Sequence, residues 1–591
     1  MKQFFITVAG VFAGLVLFLV GVPFLLLVMA AGATRPAATP PQTVLTLDLR
    51  DKLTDQDPQN PLAAFGRRTL SVMGVIETLR RAETDSHIKG VFVRLPEGGL
   101  EPAAADEIRL AIKHFRAAGK PVIAHSQGLY ASGVATSTYM LGASADELWM
   151  QPASSFQATG IAAEDVFFKR AFDKYGVVAD YEQRYEYKNA VNPFLYSDYT
   201  PAHREAQLSW MTSVYGTTIA EAAADRKVTP SLLRSTLEAG PYMAEAAQAN
   251  GLIDKVGQVH DAEVAILKRA GGQQLVAFED YMQAHRDRGL TPPGPVIAVV
   301  EAEGPIVTGR DGMANPFSGG PTVYSDDLSD AIYDAAKDND VKAIVLRVNS
   351  PGGSDTASEQ ILAAVRTAKA AKKPVVVSMG TYAASGGYWI SSEASAIVAQ
   401  PTTLTGSIGV YGGKFALGPA LAKFGVDVRE TTVGGPYAGA FGMGRQFTPA
   451  DRAAFAAWMD QIYANFVARV AKGRNLPPER VRQIAKGHVW TGAQARKLGL
   501  VDEVGGFYQA VDKAKALAGL TGEVRLKRMT PQASPIEALE QLMGVSASSV
   551  RTLAAAAWVL GDPRAQGVID QMAESRLRDH GAMVLAPTPV N

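Results

Sequence analysis

Short apolar runs alternate along the chain with stretches whose apolar residues recur at helical spacing. The apolar runs lie at 44–49, 90–95 and 122–124, and again at 296–300, 343–348 and 375–378. Helical spacing occurs at 70–83, 103–118, 326–337 and 356–371. Strands that are apolar on both faces and alternate with helices are typical of parallel sheets covered by helices. The pattern therefore predicts an α/β fold built from βαβ units.

The second half of this pattern repeats the first in sequence as well as in periodicity. Residues 85–95, DSHIKGVFVRL, correspond to residues 338–348, DNDVKAIVLRV, at an offset of 253. Residues 251–257, GLIDKVG, return as residues 499–505, GLVDEVG, at an offset of 248. The chain is therefore predicted to contain two tandem copies of one fold.

Changes in composition divide the chain into segments. A run rich in arginine, glycine and proline at 286–295 separates the two copies. After the second copy, the apolar spacing is mostly helical, as at 536–542 and 550–560, and has no counterpart in the first copy. We expect an anchor at 1–33, a linker at 34–43, a first repeat at 44–290, a second repeat at 291–525 and a helical tail at 526–591.

The N-terminus carries a long uncharged stretch. From Phe4 to Ala33 there are 30 residues without a charge. As a helix they would span about 45 Å, more than the ~30 Å hydrocarbon core of a bilayer. A cleaved signal peptide is the alternative, because Ala31-Gly32-Ala33 resembles a cleavage site, but its apolar region would be only ~7–15 residues long. We therefore predict an uncleaved transmembrane anchor, with the rest of the chain outside the cytoplasm.

Composition narrows the classes of function. Acidic and basic residues balance at 58 each, which argues against a nucleic-acid partner. The chain has no cysteine, and this excludes a cysteine nucleophile, disulfides and thiolate metal ligands. None of the eight histidines falls in a metal-binding spacing. Neither a metal nor a cofactor is expected.

Two glycine-rich motifs follow successive strands of the second copy. Residues 349–354, NSPGGS, come after the apolar run 343–348, and residues 382–388, YAASGGY, come after the run 375–378. In open parallel sheets, sites form at the carboxyl ends of strands. Backbone amides freed by glycine can hold an oxyanion, and a serine among small residues at a strand-to-helix junction is typical of an exposed nucleophile. Close packing of a turn is the alternative for each motif taken alone.

The first copy lacks this constellation. At an offset of 249, Ser385-Gly386-Gly387 corresponds to Thr136-Ser137-Thr138, although a shifted gap would place Ser132-Gly133 there instead. Glycines needed only for folding should have persisted in both copies. The first copy is therefore predicted to have lost its nucleophile site.

A serine nucleophile needs a base, and no histidine is placed by a motif. His125, in the first copy, is the least dismissible of them. A lysine can serve if burial lowers its pKa, because desolvation disfavours the charged amine. Lys188 lies in the aromatic-rich segment 185–194, YEYKNAVNPF, which belongs to the first copy alone. A solvated surface lysine is the alternative interpretation.

Taken together, these motifs resemble those of the signal peptide peptidase A (protease IV) family, in its long, membrane-anchored form with two tandem repeats. The resemblance rests on four motifs: SPGG at 350–353, YAASGGY at 382–388, TGSIG at 405–409 and YKNA at 187–190. Two positions depart from the family pattern. Asn189 stands where serine is commoner, and Asn192 stands where an acid is commoner.

The resemblance implies two tandem repeats with the crotonase/Clp-protease-like fold and one Ser–Lys dyad. It implies that Ser385 is the nucleophile and that Lys188 is the general base. Ser407 would support the lysine, and the backbone amides of Gly353 and Gly386 would form the oxyanion hole. Whether the serine and the lysine come from one chain or from two neighbours stays open.

The function implied is that of a membrane-anchored serine endopeptidase that hydrolyses apolar peptides, such as signal peptides left in or near the membrane. The resemblance also implies a bacterial inner-membrane protein with its catalytic body on the extracytoplasmic side. We expect residues 4–33 to contact lipid, and we expect a homo-oligomer, with a tetramer as the favoured state. Two alternatives stay open: a crotonase-type acyl-CoA enzyme, which also uses paired amides, and a non-catalytic membrane scaffold.

Overall fold

The computed structural model describes residues 39–51, 53–57, 70–286, 294–310, 321–529 and 584–585. The anchor predicted at 4–33 lies outside these residues. Within the described ranges, no helix is both long enough and apolar enough to cross a membrane.

In the described residues, the first half of the chain contains six strands in a parallel sheet, three further strands, and helices that cover the sheet. Its strands are β1 (Thr43–Asp48), β2 (Ile88–Arg94), β3 (Val122–Ser126), β4 (Glu147–Met150), β5 (Ser155–Phe156), β6 (Val178–Arg184), β7 (Tyr242–Met243), β8 (Lys255–Val256) and β9 (Gln274–Ala277). Its helices are α1 (Val72–Thr84), α2 (Pro102–Ala117), α3 (Ala135–Ala143), α4 (Lys169–Tyr175), α5 (Asn192–Leu195), α6 (Pro201–Arg226), α7 (Pro230–Glu238), α8 (Ala244–Ala249), α9 (Val259–Ala270) and α10 (Phe278–Arg286). The parallel strands lie in the order β8-β4-β3-β2-β1-β9.

The second half repeats this arrangement. Its strands are β10 (Val296–Glu303), β11 (Ile306–Val307), β12 (Val323–Tyr324), β13 (Val341–Ser350), β14 (Gly352–Gly353), β15 (Val375–Ala384), β16 (Ala396–Ala399), β17 (Leu404–Gly406), β18 (Val410–Ala416), β19 (Val489–Thr491), β20 (Glu503–Val504) and β21 (Arg525–Arg528). Its helices are α11 (Ser325–Lys337), α12 (Asp355–Ala370), α13 (Gly386–Ser391), α14 (Gly418–Ala422), α15 (Pro449–Arg474), α16 (Pro478–Ile484), α17 (Gly492–Lys497) and α18 (Phe507–Leu517). The order β20-β16-β15-β13-β10-β21 matches that of the first sheet, strand for strand.

Strand β15 runs further than its apolar residues predict. The predicted run ended at Ser378, whereas the strand continues to Ala384. It does so because it changes partner along its length: residues 376–379 pair with β16, and residues 382–384 pair with β17. This extension carries the chain directly to Ser385.

The end of the second half corrects the predicted tail. Strand β21 lies parallel to β10, as β9 lies parallel to β1, so the predicted helix is wrong for residues 526–528. Val584–Leu585 also forms a strand, β22, and not a helix. The helical segments predicted at 536–542 and 550–560 lie outside the described residues.

The two halves are joined by an antiparallel ladder that the sequence did not predict. Strand β6 of the first half pairs with β18 of the second, from Val178 opposite Ala416 to Arg184 opposite Val410. The chain reaches Lys188 four residues after this ladder ends. The ladder therefore holds a segment of the first half against the second half.

A buried ion cluster also crosses between the halves. Arg347, on β13, donates to Asp55 Oδ1 and to Glu107 Oε1, each at 2.6 Å, and to Ser378 Oγ at 3.0 Å. Its side chain is about 1% exposed, and the two carboxylates are at most 4% exposed. Buried charges are tolerated only when they are paired and hydrogen-bonded, so this cluster requires the halves to stay together.

Candidate active site

Ser385 lies where β15 meets α13, fully buried and in a strained conformation. Its φ of 56° and ψ of −118° fall outside the regions that residues with a Cβ favour. Its backbone N–H donates to the Gly406 carbonyl at 2.9 Å, which holds the turn against β17. Strained backbone of this kind clusters at functional sites, where the surrounding structure enforces it.

The side chain of Lys188 reaches this serine from the first half of the same chain. Lys188 Nζ lies 2.7 Å from Ser385 Oγ, 2.9 Å from the Ser407 carbonyl oxygen and 3.0 Å from Ser407 Oγ. All three side chains are 0% exposed. A neutral amine matches this environment, since it can donate to both Ser407 oxygens and accept the Ser385 hydroxyl proton with its lone pair.

Burial favours the neutral form of the Lys188 amine. It lowers the pKa of Lys188 well below the usual range for lysine, because water that would stabilise the ammonium is excluded. The surface interpretation of this lysine is therefore wrong. A lysine held neutral beside a serine hydroxyl is the arrangement that general-base activation requires.

A backbone clamp at residues 486–488 holds the lysine in place. Tyr187 N–H donates to the Lys486 carbonyl at 3.2 Å, and Ser407 N–H donates to the His488 carbonyl at 2.8 Å. Between them, Gly487 packs directly on the lysine: a Cβ there would come within 2.5 Å of Lys188 N. Its φ of +83° also favours glycine. Sequence analysis missed Gly487, because its only local signal, a glycine after a helix, does not indicate what packs against it.

The glycines of the two motifs lie against each other. A Cβ at Gly386 would lie 3.0 Å from the backbone N of Gly353 and 2.8 Å from Ser358 Oγ. A Cβ at Gly387 would lie 2.6 Å from the Ser350 carbonyl oxygen. Close packing, the alternative considered above, is therefore real. The same packing brings the backbone N of Gly353 close to Gly386, the residue that follows Ser385.

A second strand lies along β14, the strand that Gly352 and Gly353 form. Strand β22, Val584–Leu585, pairs antiparallel with β14, with Gly352 opposite Leu585 and Gly353 opposite Val584. A backbone in extended conformation therefore fits beside the glycines that adjoin Ser385. Strand addition of this kind is a common mode of peptide recognition.

The corresponding turn in the first half can be located from two matching hydrogen bonds. Tyr139 donates to the Leu252 carbonyl, as Tyr388 donates to the Leu500 carbonyl. These equivalent tyrosines are 249 residues apart. The offset places Thr136 opposite Ser385 and removes the shifted alignment that used Ser132.

That turn is closed by its own side chains. Thr138 Oγ1 accepts from Leu100 N–H at 2.9 Å and donates to the Gly98 carbonyl at 2.7 Å. Ser137 Oγ lies against the carbonyls of Leu100 and Val134. At the offset of 253 that relates residues 85–95 to 338–348, Leu100 corresponds to Gly353, so the amide at this position is already bound in the first half. The first half therefore lacks the arrangement found at Ser385.

Two histidines bear on the choice of a base. His125 lies on β3 of the first sheet, with Nε2 3.0 Å from the Gly257 carbonyl oxygen. His488 stacks on Trp490 at 3.8 Å and contributes its backbone carbonyl to the clamp. In the ranges that the structure covers, no group of three or more acids and histidines is placed to hold a metal ion.

Comparison with known proteins agrees with the repeated architecture. The model of Peptidase family S49 matches residues 114–271 and 367–521, one range in each half. Protease 4 of Salmonella typhi is 35% identical over 503 residues, covering 80% of this chain and 78% of that protein. Protease 4 of Haemophilus influenzae is 33% identical over 540 residues, covering 86% and 83%. The chloroplastic serine protease SPPA of Arabidopsis thaliana is 28% identical over 486 residues, covering 81% and 69%.

The two matched ranges include the lysine and the serine that meet in the structure. The first contains Lys188, and the second contains Ser385 and Ser407. Matches of this length at this identity decide between the enzyme classes considered above, in favour of a peptidase. The chain belongs to peptidase family S49 and is a serine peptidase.

Proposed function

We propose that this peptidase is an endopeptidase with a Ser–Lys dyad formed within one chain. The observation that carries the proposal is the distance of 2.7 Å between Lys188 Nζ and Ser385 Oγ, with both side chains fully buried. The lowered pKa of the lysine supports the same role, because only the neutral amine accepts a proton.

In the proposed mechanism, neutral Lys188 removes the hydroxyl proton of Ser385 as Oγ attacks the substrate carbonyl carbon. The backbone amides of Gly353 and Gly386 stabilise the oxyanion of the tetrahedral intermediate. The lysine then gives the proton to the leaving amine, and an acyl-enzyme remains. The same amine activates a water molecule that hydrolyses this ester. Ser407 orients the amine through its carbonyl and hydroxyl oxygens.

The proposed substrates are apolar peptides bound as extended strands along β14. Support comes from β22, an apolar dipeptide that takes this position in antiparallel orientation. The uncharged stretch at 4–33 would anchor the protein in the bacterial inner membrane, with its catalytic body on the extracytoplasmic side. Signal peptides left in or near the membrane are the substrates that fit both features.

The proposed organisation follows the repeat. Residues 44–290 and 291–525, the latter extended to Arg528 by β21, would form two crotonase/Clp-protease-like domains. A homo-oligomer, with a tetramer as the favoured state, would enclose the active sites and admit unfolded or short chains. The matching strand order of the two sheets supports the division into two domains.

A covalent probe tests the dyad. A peptidyl phosphonate should label the full chain once, and mass spectrometry should place the adduct on Ser385. Ser385→Ala should abolish labelling and peptide hydrolysis, while Lys188→Ala should reduce both to background. Ser144→Ala and Lys414→Ala serve as matched controls, because both side chains are buried and bind backbone carbonyls away from the dyad. An adduct on another residue, or full activity of Ser385→Ala, would contradict the proposal.

A further inference from the structure

The ladder between β6 and β18 has a counterpart elsewhere in the sequence. At an offset of 249, β18 corresponds to residues 161–167, and β6 corresponds to residues 427–433. The preceding residues support this correspondence: Lys174-Tyr175-Gly176-Val177 matches Lys423-Phe424-Gly425-Val426. The two glycines also share a left-handed conformation, with φ of 81° and 74°. The chain therefore carries both edges of a second, equivalent ladder.

Within one chain these two edges do not meet. In the described part of the chain, neither 161–167 nor 427–433 pairs with any strand, and all residues from 427 to 433 are exposed. Several apolar side chains are exposed there: Val166 is 66% exposed and Val433 is 94% exposed. Unpaired edges with exposed apolar residues are sites where another chain adds a strand.

We infer that residues 161–167 of one copy pair antiparallel with residues 427–433 of a second copy of this chain. The register is carried over from the internal ladder, in which Val410 is opposite Arg184 and Ala416 is opposite Val178. Residue 161 then lies opposite residue 433, and residue 167 lies opposite residue 427. The occupant of each edge is specified by the internal repeat, because the equivalent segments already bind each other.

The side chains fit this register. Val166 meets Val428, so two exposed apolar residues cover each other, and the half-buried Ile161 meets the exposed Val433. Asp165 meets Arg429, which has an 81% exposed side chain. In the internal ladder the equivalent pair is Lys414 opposite Asp180, so the charges are exchanged but remain complementary.

One pair in this register is unfavourable by itself. Glu164 would lie opposite Glu430, and like charges at opposing positions destabilise a ladder. Glu430 already pairs with Arg445 at 3.0 Å, so its charge is compensated within its own chain. Of the remaining opposed positions, Ala163 with Thr431 and Ala162 with Thr432 carry no charge. Phe167 lies opposite Asp427, which pairs with Arg429 of its own chain at 3.2 Å.

The contact is heterologous, because each copy offers two different edges. Such contacts repeat from copy to copy and close into a ring when the rotation allows it. The inference deepens the proposed homo-oligomer, on which it rests, by naming the surfaces that hold it. The dyad lies within one chain, so its chemistry does not depend on this ladder.

Engineered disulfides test the register, and no native cysteine can compete with them because the chain has none. Opposed residues of an antiparallel ladder have Cα atoms about 4.5–5.5 Å apart, within the range that a disulfide bridges. Double variants of the full chain in detergent, Val166→Cys/Val428→Cys and Ala162→Cys/Thr432→Cys, should form intermolecular disulfides on mild oxidation. The crossed variants, Val166→Cys/Thr432→Cys and Ala162→Cys/Val428→Cys, displace the partner by roughly 13 Å and should cross-link at least tenfold less.

Single variants identify the chains involved. Oxidation of a mixture of Val166→Cys chains and Val428→Cys chains should give a covalent dimer and nothing larger. The double variant should give a series of covalent oligomers, up to the number of chains in the ring. Preferential cross-linking of the crossed variants, a disulfide within one chain, or a monomeric protein would overturn the inference. Phosphonate labelling of Ser385 in the same samples separates the two proposals: normal labelling without intermolecular disulfides refutes the ladder alone.

Discussion

Replacing Gly487 with alanine should remove most of the peptidase activity and leave the protein folded. The new Cβ would lie 2.5 Å from Lys188 N and 2.6 Å from both its Cα and its Cβ. Contacts of Cβ atoms become ordinary from 3.4 Å, so the lysine backbone must move by about 0.9 Å. Since a misplacement of about 1 Å can reduce catalysis by ~100-fold, we expect kcat/KM to fall by about that factor, or about 2.7 kcal/mol.

Gly499→Ala is the matched control for backbone strain. Gly499 has a φ of +80°, close to the +83° of Gly487, but its nearest neighbour to a new Cβ is Leu476 Cδ2 at 3.7 Å. Left-handed strain should cost both variants about 1–2 kcal/mol of unfolding free energy. Gly487→Ala should lose more than Gly499→Ala, because its new Cβ also overlaps the Lys188 backbone. Only Gly487→Ala should also lose activity.

The assay combines hydrolysis of a fluorogenic apolar peptide, the rate of phosphonate labelling at Ser385, and urea unfolding. The expected result is slow hydrolysis and slow labelling by Gly487→Ala in a protein that unfolds as cooperatively as the control. Equal kcat/KM for the two variants would refute the reasoning, because it would mean that contact with Gly487 does not position Lys188.

Three further predictions concern the lysine and the ion cluster. Ser407→Ala should lower kcat/KM by about 10- to 100-fold, since the buried Lys188 amine loses one hydrogen-bond partner. In the wild-type protein, kcat/KM should rise with pH as Lys188 becomes neutral. Lys188→Met should abolish activity but stabilise the fold at neutral pH. The pKa of Lys188 is lower in the folded state than in the unfolded state, so the buried lysine reduces the free energy of unfolding below the unfolded pKa of ~10.4. The reduction is about 1.4 kcal/mol for each unit by which the pKa is lowered, and it disappears as the pH rises towards ~10.4. Urea unfolding at two pH values measures this difference, and equal stability would contradict it. Arg347→Ala should destabilise the protein by about 3–5 kcal/mol, because Asp55 and Glu107 stay buried without a counter-charge, whereas Arg347→Ala with Asp55→Asn and Glu107→Gln should recover part of the loss in the same unfolding assay.

The local pattern was sufficient to predict the class of fold. Apolar runs and helical spacing predicted an α/β protein with two copies, and the two matching sheets and the two S49 matches confirm this. These features are readable because strand and helix periodicity depend on neighbours in sequence. The predicted tail helix failed at residues 526–528, where pairing with β10 decides the conformation of a short polar segment.

The sequence also identified the candidate catalytic residues, but it did not show that they lie close together. Ser385 stood out by its glycines and Lys188 by its aromatic setting, yet the two are separated by 197 positions. Their roles stay predictions, although the structure brings them within 2.7 Å. What selected them was residue type and spacing, which do not define distance across the fold.

The sequence by itself determined the main apolar strands of both sheets, the duplication and the loss of the glycine constellation from the first copy, because each of these depends on residues that are close together in the chain. Only the tertiary structure decided that β6 pairs with β18, that Gly487 packs on Lys188, and that Arg347 binds two carboxylates of the other half. These contacts join residues far apart in the chain, and they arise from the packing of two whole sheets rather than from any local preference. Burial by that packing is also what lowers the pKa of Lys188, a property that its neighbours in sequence could suggest but not produce.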